Sequence, residues 1–240
     1  MKFDRAVRAR AATRSLSIPG GLVVLHDRLP TIHHLNALLL NRAGDGPSVA
    51  ALADRWLGHL GHRHVVVDDP SAVAPQGWSV ERTLFMAWRG GRGERDARAR
   101  EITDDEQRAL QLKLYAEERG CASPLADALI AALLAGQESI RAGTPSRCFG
   151  AGEDGSSSAS CTLLYEPGGV ALLEEVGTLL ADRGRGLGRA VVLAALGAAQ
   201  DAGCDPIVVP ADAEDWPQLL YARLGFEPIG IQLSFTLSAP

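Results

Sequence analysis

Residues 170–189 read VALLEEVGTLLADRGRGLGR: an apolar run, a turn crowded with glycine and arginine, and the first residues of a helix. Val170–Leu179 is apolar enough for a buried strand, broken only by Glu174 and Glu175. Gly184, Gly186 and Gly188 follow, interleaved with Arg183, Arg185 and Arg189. Glycine carries no Cβ, so an anion can reach the backbone amides. The start of a helix leaves N–H groups unpaired, with the positive end of the helix dipole behind them. Such a turn is an anion site, and arginine adds guanidinium groups around it. The spacing excludes two common phosphate loops. A dinucleotide fingerprint needs G-x-G-x-x-G, and the P-loop ends in Gly-Lys-Ser/Thr. Glycines here fall two apart, with no lysine after them.

Working outward, the segment Gly188–Gly203 bears almost no charge and predicts a helix buried on most sides. Ile207–Pro210 predicts a short strand, Asp215–Leu224 a helix with Pro217 in its first turn, and Phe226–Leu237 one or two strands. Upstream, Arg147–Gly150 and Ser158–Tyr165 form a predicted hairpin about the turn Gly152-Glu153-Asp154-Gly155. Pro124 opens a helix to about Arg141. Thr103-Asp104-Asp105-Glu106 has the form of a capping box, preceded by a short strand near Arg100–Ile102.

The first half has a thinner pattern. Residues 1–17 are polar and rich in arginine, and are expected to fray. Strands are predicted at Gly20–His26, Leu35–Asn41, Arg63–Asp68 and Gly77–Trp88, with a helix opened by Pro47. Arg89–Arg100 mixes glycine with charge, which is linker composition. The division expected is a smaller α/β lobe over 1–95 and a larger one over 96–240. The order of elements in the first lobe follows the later part of the second, as a degenerate duplication would.

At 240 residues the chain can bury a sizeable core, and 46% apolar with 22% charged residues is ordinary for a folded domain. A net charge of -5 gives no general attraction for nucleic acid or an anionic membrane. No run reaches the roughly 20 apolar residues of a membrane span. The N-terminus lacks the apolar region of a signal peptide, so a cytoplasmic location is expected. Cys121, Cys148, Cys161 and Cys204 are widely spaced, the pattern of reduced thiols and not of a disulfide scaffold. His33-His34 and His62-Arg63-His64 have no cysteine or acidic partner at ligand spacing. No metal is expected there, and these histidines are expected to line the surface of the first lobe.

Residues 183–188 resemble the signature of the GNAT superfamily of acyl-CoA N-acyltransferases: Arg or Gln, two residues, Gly, one residue, Gly or Ala. A second block, Leu220-Tyr221-Ala222-Arg223-Leu224-Gly225-Phe226, is similar to the leucine-tyrosine … leucine-glycine-phenylalanine segment near the end of that domain. The two blocks stand in the family's order, and the resemblance covers about residues 96–240. Two positions depart from it: Leu180 where proline is frequent, and Glu214 near a common asparagine.

The resemblance implies an α/β fold with a mixed central sheet that splays, preceded here by a degenerate GNAT-like lobe. It implies acetyl-CoA or another acyl-CoA held by the amides of Arg185, Gly186, Leu187 and Gly188, with Arg183, Gly184 and Arg189 around them. Gly177, Thr178 and Leu179 would pair with the pantetheine arm. The implied reaction is direct N-acetyl transfer to an amine, a small molecule or a peptide. A non-catalytic acyl-CoA sensor or scaffold is the alternative. Monomer and homodimer both stay open.

Transfer to an amine requires removal of its proton and, for the departing thiolate, a proton donor. Tyr221 matches the family's proton donor and is otherwise a core aromatic. Glu174 and Glu175 are the candidate bases, because a carboxylate buried in an apolar strand acquires a raised pKa. Alternation along a strand predicts that the two point to opposite faces, with Glu174 preferred. Cys161 and Cys204 read as core. The first lobe's corresponding turn, Asn41–Gly46, is poorer in glycine and carries Asp45, so it is predicted to bind no coenzyme A.

Overall fold

The structure, a computed structural model, describes residues 2–91, 96–119, 124–153 and 155–238. The linker boundary near residue 95, Cys121 and Asp154 of the predicted hairpin turn lie outside them.

In the first half the elements are α1 (Lys2–Ala11), β1 (Arg14–Ile18), β2 (Gly21–Leu25), β3 (Ala37–Leu40), α2 (Gly46–Leu57), β4 (His62–Val67) and β5 (Ser79–Trp88). The second half adds β6 (Ala99–Ile102), α3 (Asp104–Arg119), α4 (Pro124–Gly143), β7 (Ser146–Ala151), β8 (Ala159–Tyr165), β9 (Ala171–Thr178), α5 (Leu187–Asp201), β10 (Ile207–Asp212), α6 (Pro217–Arg223) and β11 (Phe226–Ser238). All strands join one 11-stranded sheet in the order β1-β2-β3-β4-β11-β5-β10-β9-β8-β7-β6.

That order contains an exchange. The last strand of the second half, β11, lies between β4 and β5 of the first. In turn β5 pairs with β10. Each half contributes a parallel strand–helix–strand unit, β3-α2-β4 and β9-α5-β10. The two units differ in one respect that matters for the site. β3 and β4 pair through Leu38–Val65, Leu39–Val66 and Leu40–Val67, to the end of both strands. β9 and β10 pair only through Ala171–Ile207 and Leu172–Val208 and then part. The far edge of β10 is zipped to β5 from Val208–Ala87 to Asp212–Thr83, which carries it away from β9.

The N-terminus does not fray as expected. Val7 and Ala11 stand four apart on α1, share one face and are buried in the cluster with Ile140, Leu164 and Leu172. Tertiary burial therefore holds a helix whose average composition is polar. Arg14–Ile18 then closes a hairpin on β2 across Gly20, at φ 76°. The capping box forms as read: Thr103 N–H donates to Glu106 Oε2 at 2.9 Å, and Glu106 N–H to Thr103 Oγ1 at 3.2 Å. Phe226–Ser238 is a single strand with a bulge between Pro228 and Gly230. The nearly uncharged α5 is buried against Leu163, Leu173 and Val209 on one face of the sheet, and α1 and α4 cover the other face. No helix among the described residues is long and apolar enough to cross a membrane.

Candidate functional site

The start of α5 is open. Gly186 is its N-cap, at φ 79°, and no side chain caps it. The first backbone bond into the helix is Ala190 N–H to Gly186 O, at 3.1 Å. The amides of Arg185, Gly186, Leu187 and Gly188 donate to no carbonyl or side chain among the described residues. The counterpart in the first half is closed. Asp45 caps α2, its Oδ1 accepting from Ser48 N–H at 2.9 Å. A carboxylate already occupies the place a phosphate would take, and its charge repels a second anion.

Two of the arginines around the open turn, Arg183 and Arg185, are tethered. Arg183 Nε donates to Thr178 O at 3.2 Å. Arg185 pairs with Asp182 at 2.5 Å and with Glu153. Arg98, which sequence reasoning missed, donates from Nη1 to Arg185 O at 2.8 Å and so braces the turn from just before β6. Because Arg98 stands some 87 residues away in the chain, no local pattern could have found it.

Beside this turn, the parting of β9 and β10 opens a cleft of about 460 Å³. Leu173–Gly177, Pro210–Asp212, Pro217 and Tyr221 line it, with Gln111, Tyr115 and Glu118 of α3. Gly177 is in the lining, and a Cβ there would stand 2.8 Å from Leu114 Cδ1, so α3 packs directly on the strand backbone. Leu179 N–H is committed to Ser158 O at 2.9 Å, and Leu180 N–H to Glu117 Oε2 at 2.9 Å. With Leu179 bonded toward β8, alternation turns the polar backbone of Thr178 the other way, toward the open side.

Glu174 and Glu175 do not point to opposite faces. β8 and β9 slip register between Ser160–Gly177 and Thr162–Glu174, leaving a bulge on β9. Glu175 sits in that bulge at φ 55°, a left-handed conformation that only strong local support holds for a side-chain-bearing residue. The support is visible. Gln111 Nε2 donates to Ser160 Oγ at 3.0 Å and to Glu175 O at 3.4 Å, and Ser160 Oγ donates to Glu175 O at 3.3 Å. The bulge interrupts the two-residue alternation, and both carboxylates line the cleft.

Burial pushes Glu174 up to about 8; the charges of Asp4 and Glu175 add to the effect and Arg8 opposes it. Burial pushes Glu175 up to about 7, against the hydrogen bond from Tyr115. Tyr115 Oη donates to Glu175 Oε2 at 3.2 Å, and Gln137 Nε2 donates to Tyr115 Oη. The Glu174 side chain makes no hydrogen bond or ion pair among the described residues. Tyr221 is buried edge-on to Phe226, ring centroids 5.9 Å apart, and lines the cleft; burial raises its phenol and keeps it protonated.

A mixed sheet that splays beside an uncapped, glycine-lined helix start can be compared with known proteins. No family model matches the sequence, and no curated protein matches it. Solved structures do match in shape. A GCN5-related N-acetyltransferase from Kribbella flavida superposes at TM-score 0.67 and 17% identity, covering 98% of this chain and 92% of that one. A tandem GNAT protein from the clavulanic acid biosynthesis pathway superposes at 0.57 and 17% identity, covering 92% and 78%. The chain has the GNAT fold.

A conserved protein of unknown function from Staphylococcus epidermidis matches over 95% of this chain and 94% of its own, at TM-score 0.70 and 12% identity. The tandem neighbour fits the two-lobed reading of this GNAT fold. Within it, the sequence-predicted residues gather at two adjoining places: Arg183–Arg189 at the turn, and Glu174, Glu175, Gly177 and Tyr221 in the cleft. Cys161 and Cys204 are buried, as read, and burial raises both thiols. The histidines depart from the surface placement expected of them. His62 and His64 are buried, and His33 stacks at 4.1 Å from His62 and 5.8 Å from His64. His64 Nδ1 meets Thr236 Oγ1 at 2.8 Å, so the cluster forms part of the seam with β11.

Proposed function

We propose that this chain is an acyl-CoA-dependent N-acyltransferase, acetyl-CoA being the first donor to test, that acts on an amine by direct transfer. One observation carries the reading: β9 and β10 part beside a helix start whose amides have no partner. The residues present fit coenzyme A. The amides of Arg185–Gly188 supply donors for a diphosphate, and Thr178 N–H, on the side of β9 away from β8, can donate to an amide-bearing arm, its carbonyl already accepting from Arg183 Nε. When bound, the thioester supplies an activated acyl carbon.

The chain's own residues divide the remaining tasks. Glu174, unpaired and raised by burial, accepts the proton of the incoming ammonium, freeing the lone pair that forms the new C–N bond. Tyr221, which lines the same cleft, would give the departing thiolate its proton. Glu175, tied to Tyr115 and Gln137, is the second carboxylate of the site. The uncapped start of α5 orients the donor, and α3 walls the cleft from water. We read residues 1–95 as a lobe without a coenzyme site, since Asp45 fills its helix start, and residues 96–240 as the lobe that binds.

Calorimetric titration with coenzyme A, followed by thiol release from acetyl-CoA across an amine panel, tests the reading. Binding with amine-dependent thiol release is expected. Absence of binding overturns the proposal, and binding without turnover on any amine reduces the protein to an acyl-CoA-binding module.

A further inference from the structure

The cleft at the splay has a one-sided chemistry. Glu118, Glu174, Glu175 and Asp212 line it, and no arginine, lysine or histidine does so among the described residues. The site itself stands on the strand splay and the open helix start; the lining says what can enter. Four carboxylates are more than the removal of one proton requires. Behind Glu174 stands a fifth, Asp4, whose side chain is 7% exposed and whose Oδ2 is buried without a partner. Cations do stand near: Arg8 holds Asp4 at 3.1 Å and opposes the raising of Glu174, and Arg141 acts on Glu175 in the same sense. Both lie outside the lining.

Given the acyl-transfer reading on which this rests, we propose that the acceptor is a small aliphatic amine carrying a second ammonium group, a diamine or polyamine. The reasoning is electrostatic. Once the attacking nitrogen has given its proton to Glu174, a second ammonium on the acceptor still faces the exposed carboxylates of Glu118 and Asp212. An acceptor bearing a carboxylate meets like charge from Glu118 on α3 and Asp212 on β10. Glu118 and Asp212 are exposed, at the outer part of the lining, and Glu174 and Glu175 are partly buried, so the carboxylates are spread along the cleft. That spread suits two separated ammonium groups on one chain. At about 460 Å³ the cleft has the size of a small-molecule pocket, roughly 300–1,000 Å³ in general.

The test uses the full chain with acetyl-CoA and three acceptors of equal length: butanediamine, butylamine and γ-aminobutyrate. The expected kcat/KM order is diamine over monoamine by about tenfold or more, with the amino acid lowest. Added salt should shrink the preference, because exposed charges are screened. The Glu118→Gln, Asp212→Asn variant should narrow the diamine-to-monoamine ratio, and Glu118→Lys should lift the amino acid. Equal rates on diamine and monoamine overturn the proposal, as does turnover of a lysine peptide with none of butanediamine. Binding of butanediamine to the free protein, by calorimetry, reads the cleft without turnover. Binding no tighter than that of butylamine also overturns the proposal. If coenzyme A binding is lost while diamine binding holds, the acyl-transfer reading fails and the acidic cleft stands.

Discussion

Replacing Gly186 by alanine isolates the feature on which the donor site depends. Gly186 is the N-cap of α5 at φ 79°, and the space where its Cβ would go is nearly empty: the nearest atom is Arg98 Nη2 at 3.5 Å. A steric clash is therefore no part of the effect, which comes from the backbone. A left-handed residue with a Cβ costs about 1–2 kcal/mol. If the free loop keeps its shape, the cost appears as lost stability, about 2–8 °C in Tm for a chain of this size. If the loop relaxes and is reshaped by the ligand, the cost appears in binding, as ~5- to 30-fold weaker affinity for coenzyme A. Calorimetric titration and a thermal melt on the same sample read both parts. Asp45→Ala is the companion variant: losing the α2 cap should cost about 1 kcal/mol of stability and leave coenzyme A affinity alone. A Gly186→Ala protein with unchanged Tm and unchanged affinity refutes the reasoning, because the left-handed turn would then be dispensable.

Glu174→Gln should lower kcat/KM by about 10²–10⁴-fold on any accepted amine, read by thiol release. The same variant has a pH signature in stability. Glu174 has its folded pKa raised, to about 8, so the folded state holds the proton that the unfolded state releases near the ordinary value of 4.5. Stability from this group is present at low pH and falls as pH rises from there toward 8, so the variant should gain on the parent in alkaline melts. Tyr115→Phe removes a hydrogen bond that lowers Glu175, and a carboxyl ¹³C titration should place that group higher in the variant. Tyr221→Phe should keep its edge contact with Phe226 and a stability within about 1–2 kcal/mol of the parent, while kcat falls. A kcat equal to the parent's removes the hydroxyl from the mechanism.

Much of the fold was legible because its signals are local. The capping box at Thr103–Glu106, the proline-opened α2 and the uncharged α5 all lie where their residues place them. The turn at 183–188 was legible for the same reason: glycine spacing and a helix start need only neighbouring residues. The misreadings share a cause as well. α1 looks like a polar tail until its Val7 and Ala11 meet residues more than a hundred positions on. Glu174 and Glu175 obey strand alternation until a register slip against β8 inserts a left-handed residue between the faces. His64 looks like a surface residue because its neighbour Thr236 comes from β11, at the opposite end of the chain.

The amino-acid order alone determined most of the elements beyond residue 17, the helix mouth that can take an anion and the residue types able to move a proton. Each of these is set within one turn or one strand, where side-chain chemistry and backbone freedom act on near neighbours. Only the tertiary structure decided that β5 of the first half draws β10 away from β9, that two adjacent carboxylates share one cleft, and that no cation lines it among the described residues. Strand pairing and burial join groups far apart in the chain, and the free energy of such contacts has no local signature in the sequence.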